Sequence, residues 1–389
     1  MAKKPVKIGV GGRQCPPMDA AVEYIKRVER EGWDFIQYPD QISTTHPTGM
    51  LGRPVKASDP SAVNGVYAEE WCASFEIMAA ASVLTERIEI HLGATDLLRR
   101  SPAVVANSAL TLQHLSKGRT VLHIAQGENK QFIPFGESRN KPLGRMKEAL
   151  KVIDALWSSE GKPVSRPSEF WPLQDAVFPF ELYNGKKPPL LMVGGGPTME
   201  GLAGQHDGWS TYVPGGIHND VEELAGVINR VKENAEKNGK DPDELMFFGM
   251  VMGTIGATDE EAWRLARTPA AAWWSIIGLS IDSSESWKKL GFEHPLGDFL
   301  WPQNVGTRNA ALDAAIEMCE KVPDEVTDAA NVWGSPDRVA AKCKDYVDAG
   351  ITHLSFWNLG AMGDPETSSD YSPLVGQVAE KLRGTGFNV

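Results

Sequence analysis

Residues 188–199 read PPLLMVGGGPTM, and this stretch joins an apolar strand to the start of a helix. Leu190–Val193 is wholly apolar, which is typical of a strand buried on both faces. Three glycines follow, so the backbone at the end of the strand carries no side chains. Pro197 suits the first helical position, because its missing N–H would be unpaired there and its ring already holds a helical φ.

The bare turn before Pro197 predicts a binding site for an anion. A helix N-terminus presents free backbone N–H groups and the positive end of the helix dipole, and both attract a phosphate. Glycines allow a ligand to approach that backbone closely. The same pattern also fits a tight strand-to-helix turn without a ligand, since glycine-rich turns are common.

Elsewhere in the chain one pattern recurs: an amphipathic helix, a glycine and a strand. It occurs at residues 20–38 around Gly32 and at residues 339–357 around Gly350. Strands are predicted near residues 7, 34, 87, 119, 189, 208, 246 and 351. Eight strands alternating with helices favour a (β/α)8 TIM barrel, formed by residues 1–389 as a single domain.

The bulk composition excludes several classes of partner. The formal net charge of -12 argues against nucleic acid or an anionic membrane surface. No apolar run approaches the ~20 residues of a membrane span, and no secretory signal opens the chain, so we expect a cytoplasmic protein. The four cysteines are far apart and form no CxxC pair, which predicts reduced thiols and no metal site.

Three stretches interrupt the repeat, at about residues 41–66, 163–187 and 273–307. The second is expected to form a hairpin, and the third contains four tryptophans. Long loops in a compact domain are usually functional, and aromatic content argues against disorder. The tryptophans of the third stretch suit core packing, a subunit interface or contact with a substrate.

The ends of the predicted strands nominate the site residues, because barrel enzymes build their sites there. The strand ends carry Asp40, Gln41, Thr95, Asp96, Gly127, Glu128, Tyr212 and Trp357. Asp40 also suits a cap, and Glu128 a solvated loop charge. His91 and His123 lie in mid-strand and are expected to be core or lumen residues. Arg99 and Arg100 suit either surface charges or contact with a polyanionic ligand tail.

Several patches together resemble the bacterial luciferase-like superfamily. They are LSKGRTVLHIAQGE (115–128), SPAVVA (101–106), the glycine stretch with LAG (202–204) and DGW (207–209), and GSPDRV (334–339). They extend over nearly the whole chain, from about residue 6 to 360. The glycine and Gly-Glu patterns resemble the branch that uses the deazaflavin coenzyme F420, which includes glucose-6-phosphate dehydrogenases. EHPLG (293–297) is similar to the mycobacterial phthiodiolone ketoreductase group.

The resemblance implies a deazaflavin at the carboxyl ends of the strands, with its phosphate on the glycines and Val193 against its ring. It assigns cofactor contacts to Asp40, Thr95, Asp96, Gly127, Glu128, Gln131, Val193, Gly194, Gly195 and Gly196. It also implies a bulged, non-prolyl cis peptide behind the ring at Thr95 and Asp96. Glu128 matches a carboxylate proposed as proton donor, a role for which we expect partial burial to raise its pKa.

One position departs from the family pattern. The family often has Asp-His at the end of the second strand, whereas this chain has Asp40-Gln41. Glutamine does not titrate, so either Glu128 or another residue handles the proton. The catalytic candidates are therefore Glu128, Asp40 and Gln41, and Trp357 and His294 are the candidate substrate contacts.

The resulting hypothesis is a coenzyme F420-dependent oxidoreductase that moves a hydride between the deazaflavin and an organic substrate, such as a ketone and its alcohol. The alternatives are an FMN-dependent luciferase-like monooxygenase and a non-catalytic barrel that binds flavin or deazaflavin. The aromatic insertions favour an apolar or aromatic substrate. Family resemblance also favours a homodimer.

Overall fold

The computed structural model describes residues 5–51, 71–215, 220–281, 283–303, 311–360 and 371–383. The strands are β1 (Lys7–Gly11), β2 (Phe35–Tyr38), β3 (Glu89–Asp96), β4 (Thr120–Ala125), β5 (Val164–Arg166), β6 (Leu173–Ala176), β7 (Leu190–Val193), β8 (Gly208–Val213), β9 (Met246–Ile255), β10 (Val332–Gly334) and β11 (His353–Asn358). Eight of them form a parallel sheet in the order β9, β11, β1, β2, β3, β4, β7, β8. Because β8 also pairs with β9, the sheet closes into a barrel.

Helices surround this barrel. They are α1 (Met18–Glu31), α2 (Ser74–Leu84), α3 (Pro102–Ser116), α4 (Pro142–Trp157), α5 (Pro197–Gln205), α6 (Val221–Lys237), α7 (Asp259–Ala266), α8 (Pro269–Gly278), α9 (Glu285–Lys289), α10 (Leu312–Glu320), α11 (Asp324–Ala330), α12 (Pro336–Ala349) and α13 (Tyr371–Arg383). The predicted (β/α)8 barrel and all eight predicted strands are confirmed. The short strand β10, which extends the sheet beside β9, was not predicted.

The strands divide the apolar side chains between two cores. Alternate residues of a strand point to opposite faces, so Ile90 and Leu92 of β3 pack outward under the helices while His91 points into the lumen. The lumen contains Phe35 and Phe248, whose ring centroids lie 5.2 Å apart. A Cβ on Gly9 would lie 2.3 Å from the Phe35 ring, so this strand position has room only for glycine.

Glycines end two of the predicted helices as expected. Gly32 after α1 and Gly350 after α12 have φ of 85° and 119°, in the left-handed region that favours glycine. At the other end of a helix, Pro197 occupies the first turn of α5, as its sequence position predicts. These local signals fix where helix changes to strand around the barrel.

The three insertions have different outcomes. The expected hairpin is confirmed, since β5 and β6 pair antiparallel. Residues 273–307 were expected as a long loop, but they begin within α8, which is buried along its length, and continue through α9. Most of the first insertion, residues 52–66, lies outside the described residues.

The cysteines agree with the expectation of reduced thiols. Cys15, Cys72, Cys319 and Cys343 are all free thiols. Burial raises the pKa of Cys319 to about 12, so this thiol is held in its unreactive form. Within the described ranges, no helix combines the length and apolarity that a bilayer span requires.

A chain of polar side chains crosses the barrel lumen. His91 Nε2 lies 3.2 Å from the Glu89 carboxylate, and its Nδ1 lies 3.0 Å from His123 Nε2. His123 Nδ1 in turn lies 3.0 Å from Ser210 Oγ. Neutral histidines satisfy every contact when His91 Nε2–H donates to Glu89, His123 Nε2–H donates to His91 Nδ1 and the Ser210 hydroxyl donates to His123 Nδ1. Both mid-strand histidines are therefore lumen residues, as predicted.

Burial lowers the pKa of three lumen histidines, because the charged imidazolium is poorly solvated there. They are His91, His123 and His353. A histidine whose folded pKa is depressed stabilises the fold fully above its unfolded pKa of about 6.5 and loses that contribution as the pH falls below it. Each such group changes the free energy of unfolding by up to about 1.4 kcal/mol per pH unit.

We therefore expect the thermal unfolding midpoint to decrease as the pH is lowered from 7 to 5. The variant His123→Gln should show a smaller fall, because one buried titrating group is lost. His114→Gln is the matched control, since His114 is exposed on α3 and stacks on Phe180. Differential scanning calorimetry across this pH range measures all three proteins. An identical pH dependence in His123→Gln and the wild type would contradict the prediction.

Candidate active site

A cavity of about 300 Å³ opens at the carboxyl ends of the barrel strands. This lies at the lower end of the range for small-molecule sites, about 300–1,000 Å³. Among the predicted site residues, those that line it are Asp40, Gln41, Thr95, Asp96, Gly127, Glu128, Gln131, Val193, Gly194, Gly195 and Trp357. Together with Tyr212, which also lines the cavity, these residues come from six strand ends. Gly196 lies next to this lining as the residue that caps α5.

The glycine turn has the backbone geometry that the predicted anion cradle requires. Gly194 and Gly196 have φ of 128° and 89°, so side chains at these two positions would strain the backbone. The Trp209 indole donates a 2.8 Å hydrogen bond to the Gly194 carbonyl and fixes the turn. The first-turn amides of α5 have no intrahelical acceptor, as at any helix start. This arrangement fits a phosphate group.

Asp40 is buried within a group of cationic and hydroxyl donors. Its Oδ2 accepts a 2.7 Å hydrogen bond from Thr95 and lies 3.2 Å from Arg99 Nη2. Arg100 contacts the same oxygen. Arg99 also pairs with Asp96, at 2.5 Å between Nε and Oδ2. Arg99 is therefore a largely buried ion-pair partner, Arg100 pairs with the same carboxylate while 28% of its side chain stays exposed, and Asp40 is a paired carboxylate instead of a helix cap.

The backbone behind Asp40 contains the expected irregularity, slightly earlier in the chain. The non-prolyl cis peptide joins Gly93 to Ala94, and the register between β3 and β4 shifts between Gly93 and Thr95. The resemblance placed it at Thr95 and Asp96. The bulge re-aims the end of β3 so that Thr95 reaches Asp40.

Glu128 is held between Lys130, two residues further along the chain, and Trp301 of the third insertion. The Trp301 indole donates to Glu128 Oε1 at 2.6 Å. Lys130 Nζ lies 2.9 Å from Glu128 Oε2 and donates to Gln41 Oε1 at 2.8 Å. Lys130 is itself buried, with 6% of its side chain exposed. Glu128 is therefore an ion-paired site residue, which excludes the solvated loop charge as its role.

The direction of the Glu128 pKa differs from our expectation. Burial alone raises the pKa of this carboxyl, as predicted, but the Lys130 ammonium and the Trp301 indole stabilise the carboxylate and together lower it. The expectation of a raised pKa was therefore wrong. Glu128 is ionised at neutral pH and does not carry a proton to donate.

The loop that carries Glu128 is shaped by Gly127, Arg139 and Gln131. Gly127 has φ of 74°, and a Cβ there would lie 2.6 Å from the Phe132 ring. Arg139 Nε donates to the Gln126 and Gly127 carbonyls at 3.0 and 2.8 Å. Gln131 is tied to the neighbouring loop, since its side-chain oxygen accepts from the Ile42 amide at 2.7 Å. Gly127 and Gln131 thus border the cavity as well as stabilise its wall.

Aromatic side chains form another part of the cavity lining. The Trp274 ring lies between two others: its centroid is 5.4 Å from that of Tyr212 and 5.6 Å from that of Trp301. Met250, Met252 and Trp357 extend this apolar wall. The third insertion therefore serves two purposes, because Trp273 and Trp287 are buried in the core while its other two tryptophans face the cavity.

His46 is a cavity residue that the sequence reasoning missed. It lies in a polar loop, and no periodic pattern marks it. Its Nε2 donates to the Ala270 carbonyl at 3.0 Å. Burial lowers its pKa to about 4, so the ring is neutral at physiological pH. Lys130 and Arg139 were also missed, although their proximity to the Gly-Glu motif in sequence was an available signal.

The structure does not bring His294 to the cavity. Its Nε2 donates to the Ile276 carbonyl at 3.0 Å, and its Nδ1 accepts from the Leu296 amide at 3.1 Å. Its ring stacks on Phe299 at 5.1 Å between centroids. Both ring nitrogens are thus occupied, and His294 organises the insertion from inside.

Comparisons with known proteins agree with this architecture. A sequence profile of the family described as luciferase-like monooxygenase matches residues 3–353. The phthiodiolone/phenolphthiodiolone dimycocerosates ketoreductase of Mycobacterium kansasii is 30% identical over 285 residues, covering 72% of this chain and 74% of that protein. The F420-dependent glucose-6-phosphate dehydrogenase of Amycolatopsis mediterranei (strain U-32) is 25% identical over 371 residues, covering 91% and 93%.

A solved structure shares the fold over nearly the whole chain. It is an F420-dependent secondary alcohol dehydrogenase in complex with an F420-acetone adduct, with a TM-score of 0.69 and 20% identity. The match covers 96% of this chain and 99% of that one. At this identity the likeness shows the barrel fold.

The ion pair between Lys130 and Glu128 generates a prediction. In Lys130→Met we expect the pKa of Glu128 to rise, because burial then acts on the carboxyl without the nearby ammonium. Carbon-13 NMR of glutamate-labelled protein measures the titration, and Glu128→Gln identifies the resonance. Lys151→Met, which breaks the exposed pair with Glu148, is the matched control and should leave this pKa unchanged. An unchanged Glu128 titration in Lys130→Met would refute the assigned cause.

Proposed function

Because the chain belongs to the luciferase-like monooxygenase family, we propose that this luciferase-like oxidoreductase uses coenzyme F420 as its cofactor. It transfers a hydride between the deazaflavin and an organic substrate, and a ketone and its alcohol are the first pair to test. The observation that carries this proposal is the glycine cradle at α5, which opens directly into a cavity with one charged and one aromatic wall.

The residues present fit a phosphorylated, planar cofactor. The cradle of Gly194, Gly195 and Gly196 offers backbone N–H groups and no side chains to a phosphate. Val193 lies beside it as an apolar surface for a ring. Thr95 and Asp40 border the cavity from the neighbouring strands. When bound, the deazaflavin supplies the hydride chemistry, and the protein supplies binding, orientation and charge.

The charged side chains of the cavity are held in place by ion pairs and hydrogen bonds. Glu128 is a carboxylate that can accept a proton from an alcohol, or stabilise positive charge, while Lys130 and Trp301 hold it in place. Gln41 accepts a hydrogen bond from Lys130 and contributes no proton of its own. Asp40 is kept in position by Arg99 and Thr95. For a carbonyl reduction, the proton therefore comes from another group.

The names of relatives support the choice of cofactor and substrate class. The Amycolatopsis dehydrogenase and the alcohol dehydrogenase with the same fold are F420-dependent. The mycobacterial relative is a ketoreductase, and the alcohol dehydrogenase holds an F420-acetone adduct. The aromatic wall of this cavity suits an apolar or aromatic carbonyl compound.

An FMN-dependent monooxygenase is the second candidate. The family description supports it, and the glycine cradle suits the single phosphate of FMN as well. Barrel fold alone does not distinguish the two cofactors. The direct comparison is a fluorescence titration of the purified apoprotein with coenzyme F420 and, separately, with FMN.

We expect micromolar or tighter binding of F420 and weaker binding of FMN. In Gly195→Asp the affinity for F420 should fall at least tenfold, because a carboxylate would repel the phosphate in the cradle. Gly195 suits this change, since its φ is outside the left-handed region that Gly194 and Gly196 adopt. Gly201→Asp is the control: it adds the same charge to α5, where a Cβ meets nothing within 4 Å.

Each other result of the titration has a distinct meaning. Tighter binding of FMN, with oxygen uptake by the reduced complex, would establish the monooxygenase instead. Binding of neither cofactor would show that the glycine turn is structural only. Equal affinity for F420 in Gly195→Asp and the wild type would place the phosphate elsewhere.

A further inference from the structure

Carbonyl reduction needs a proton for the substrate oxygen, and the residues nominated from sequence do not supply it. Glu128 is a carboxylate between Lys130 and Trp301. Asp40 Oδ2 accepts from Thr95 and faces two arginines. Gln41 has no titrating group. The proton donor is therefore a different side chain in the same cavity.

His46 is also unsuited to this step. Its single N–H at neutral pH is directed to the Ala270 carbonyl at 3.0 Å. Its other ring nitrogen lies 3.4 Å from the Thr45 hydroxyl and is an acceptor. A neutral imidazole in this tautomer has no proton to give to a ligand in the cavity.

Tyr212 has the properties that these residues lack. It lies near the end of β8 and lines the cavity beside Met250, its register partner on β9. Within the described part of the chain, the Tyr212 hydroxyl makes no hydrogen bond. It is also not one of the unpartnered polar atoms that are fully buried. The hydroxyl oxygen is therefore accessible, and the space next to Tyr212 is the cavity that this residue lines.

Among the described residues that line the cavity, two others have fully buried donors without a partner, but neither is suitable. The indole N–H groups of Trp71 and Trp274 are fully buried, so a ligand does not reach them as they stand. The Trp274 nitrogen would lie 2.6 Å from a Cβ on Gly278, so it faces its own helix. An indole N–H also donates a hydrogen bond without releasing its proton.

We propose that Tyr212 is the catalytic acid that binds the carbonyl oxygen of the substrate and protonates it during reduction. This inference rests on the proposed function and deepens it. The reduced deazaflavin, when bound, would supply a hydride to the carbonyl carbon and be oxidised, and the C=O π pair would move to oxygen. The Tyr212 O–H proton passes to that oxygen, and water returns a proton to the phenolate.

The surroundings of Tyr212 favour this direction of reaction. Burial, and then the negative charge of Glu128, raise the pKa of the Tyr212 phenol, so the hydroxyl carries its proton at neutral pH. The same charge destabilises the phenolate and promotes its reprotonation. Alcohol oxidation through Tyr212 would need the phenolate as base, so we expect this residue to promote reduction more than oxidation.

The position of Tyr212 also indicates how a substrate is oriented. Its ring packs 5.4 Å from Trp274, within the wall that contains Met250 and Met252. The hydroxyl is thus a polar point on an apolar surface. A carbonyl compound with an apolar body satisfies both, with its oxygen on the hydroxyl and its carbon skeleton against the rings.

A binding measurement without turnover tests the hydrogen bond. Cyclohexanone and methylenecyclohexane have the same shape, but only the ketone accepts a hydrogen bond. We expect ligand-observed NMR to show that the wild-type apoprotein binds the ketone about three- to tenfold more tightly. Tyr212→Phe should bind both ligands equally. Tyr183→Phe, which removes a phenol hydroxyl outside the cavity lining, should retain the preference.

Turnover tests the proton transfer. With reduced F420 and a ketone, Tyr212→Phe should reduce the substrate about a hundredfold or more slowly than the wild type. Its dissociation constant for F420 and its thermal midpoint should stay unchanged. Tyr212→Leu serves as the second variant should Tyr212→Phe fail to fold. Unchanged turnover together with an unchanged preference for the ketone would overturn the role of Tyr212.

Failure of the proposed function is distinguishable from failure of this assignment. A wild-type protein that binds no deazaflavin would contradict the proposed function. The apoprotein measurement still decides the role of the hydroxyl. Loss of the ketone preference in Tyr212→Phe supports the assignment, and absence of that preference from the wild type overturns it.

Discussion

The pairing of β8 with β9 closes the parallel sheet, and the candidate site depends on this closure. In a closed barrel of parallel strands, every strand ends on the same rim. Residues far apart in the chain, such as Asp40, Glu128 and Tyr212, therefore border one cavity. The alternation of side chains along each strand keeps the outward apolar residues under the helices and directs the others to the lumen. The lower lumen is filled by rings and histidines, so the space for a ligand remains at the rim.

Charge in the cavity is arranged as carboxylates with their own cations. Lys130 holds Glu128, and Arg99 holds both Asp40 and Asp96. A buried carboxylate without such a partner would become neutral or destabilise the fold. With the partners present, each of these carboxylates is paired with a cation of the protein before any ligand binds. Such a preformed electrostatic environment is what a hydride transfer requires from the protein.

The third insertion connects the two walls of the cavity. Trp301 donates to Glu128 on the charged side and packs near Trp274 on the aromatic side. His294 stabilises this insertion through the Ile276 carbonyl instead of contacting a ligand. The insertion therefore both shields the charged pair from water and extends the apolar surface around Tyr212. Its helices α8 and α9 make it a packed part of the barrel.

Local patterns in the sequence were sufficient to predict the barrel, its eight strands and the glycine turn before α5, and with the family resemblance they nominated eleven of the residues that line the cavity. These depend on strand and helix periodicity and on the backbone freedom of glycine, which short segments carry by themselves. The state of each group in the cavity was decided only by the tertiary structure. Lys130 and Gln41 are 89 positions apart, and Trp301 and Glu128 are 173 apart. A pKa depends on burial and on neighbouring charges, and the burial of Glu128, its contact with Trp301 and the surroundings of Tyr212 arise only when the chain folds.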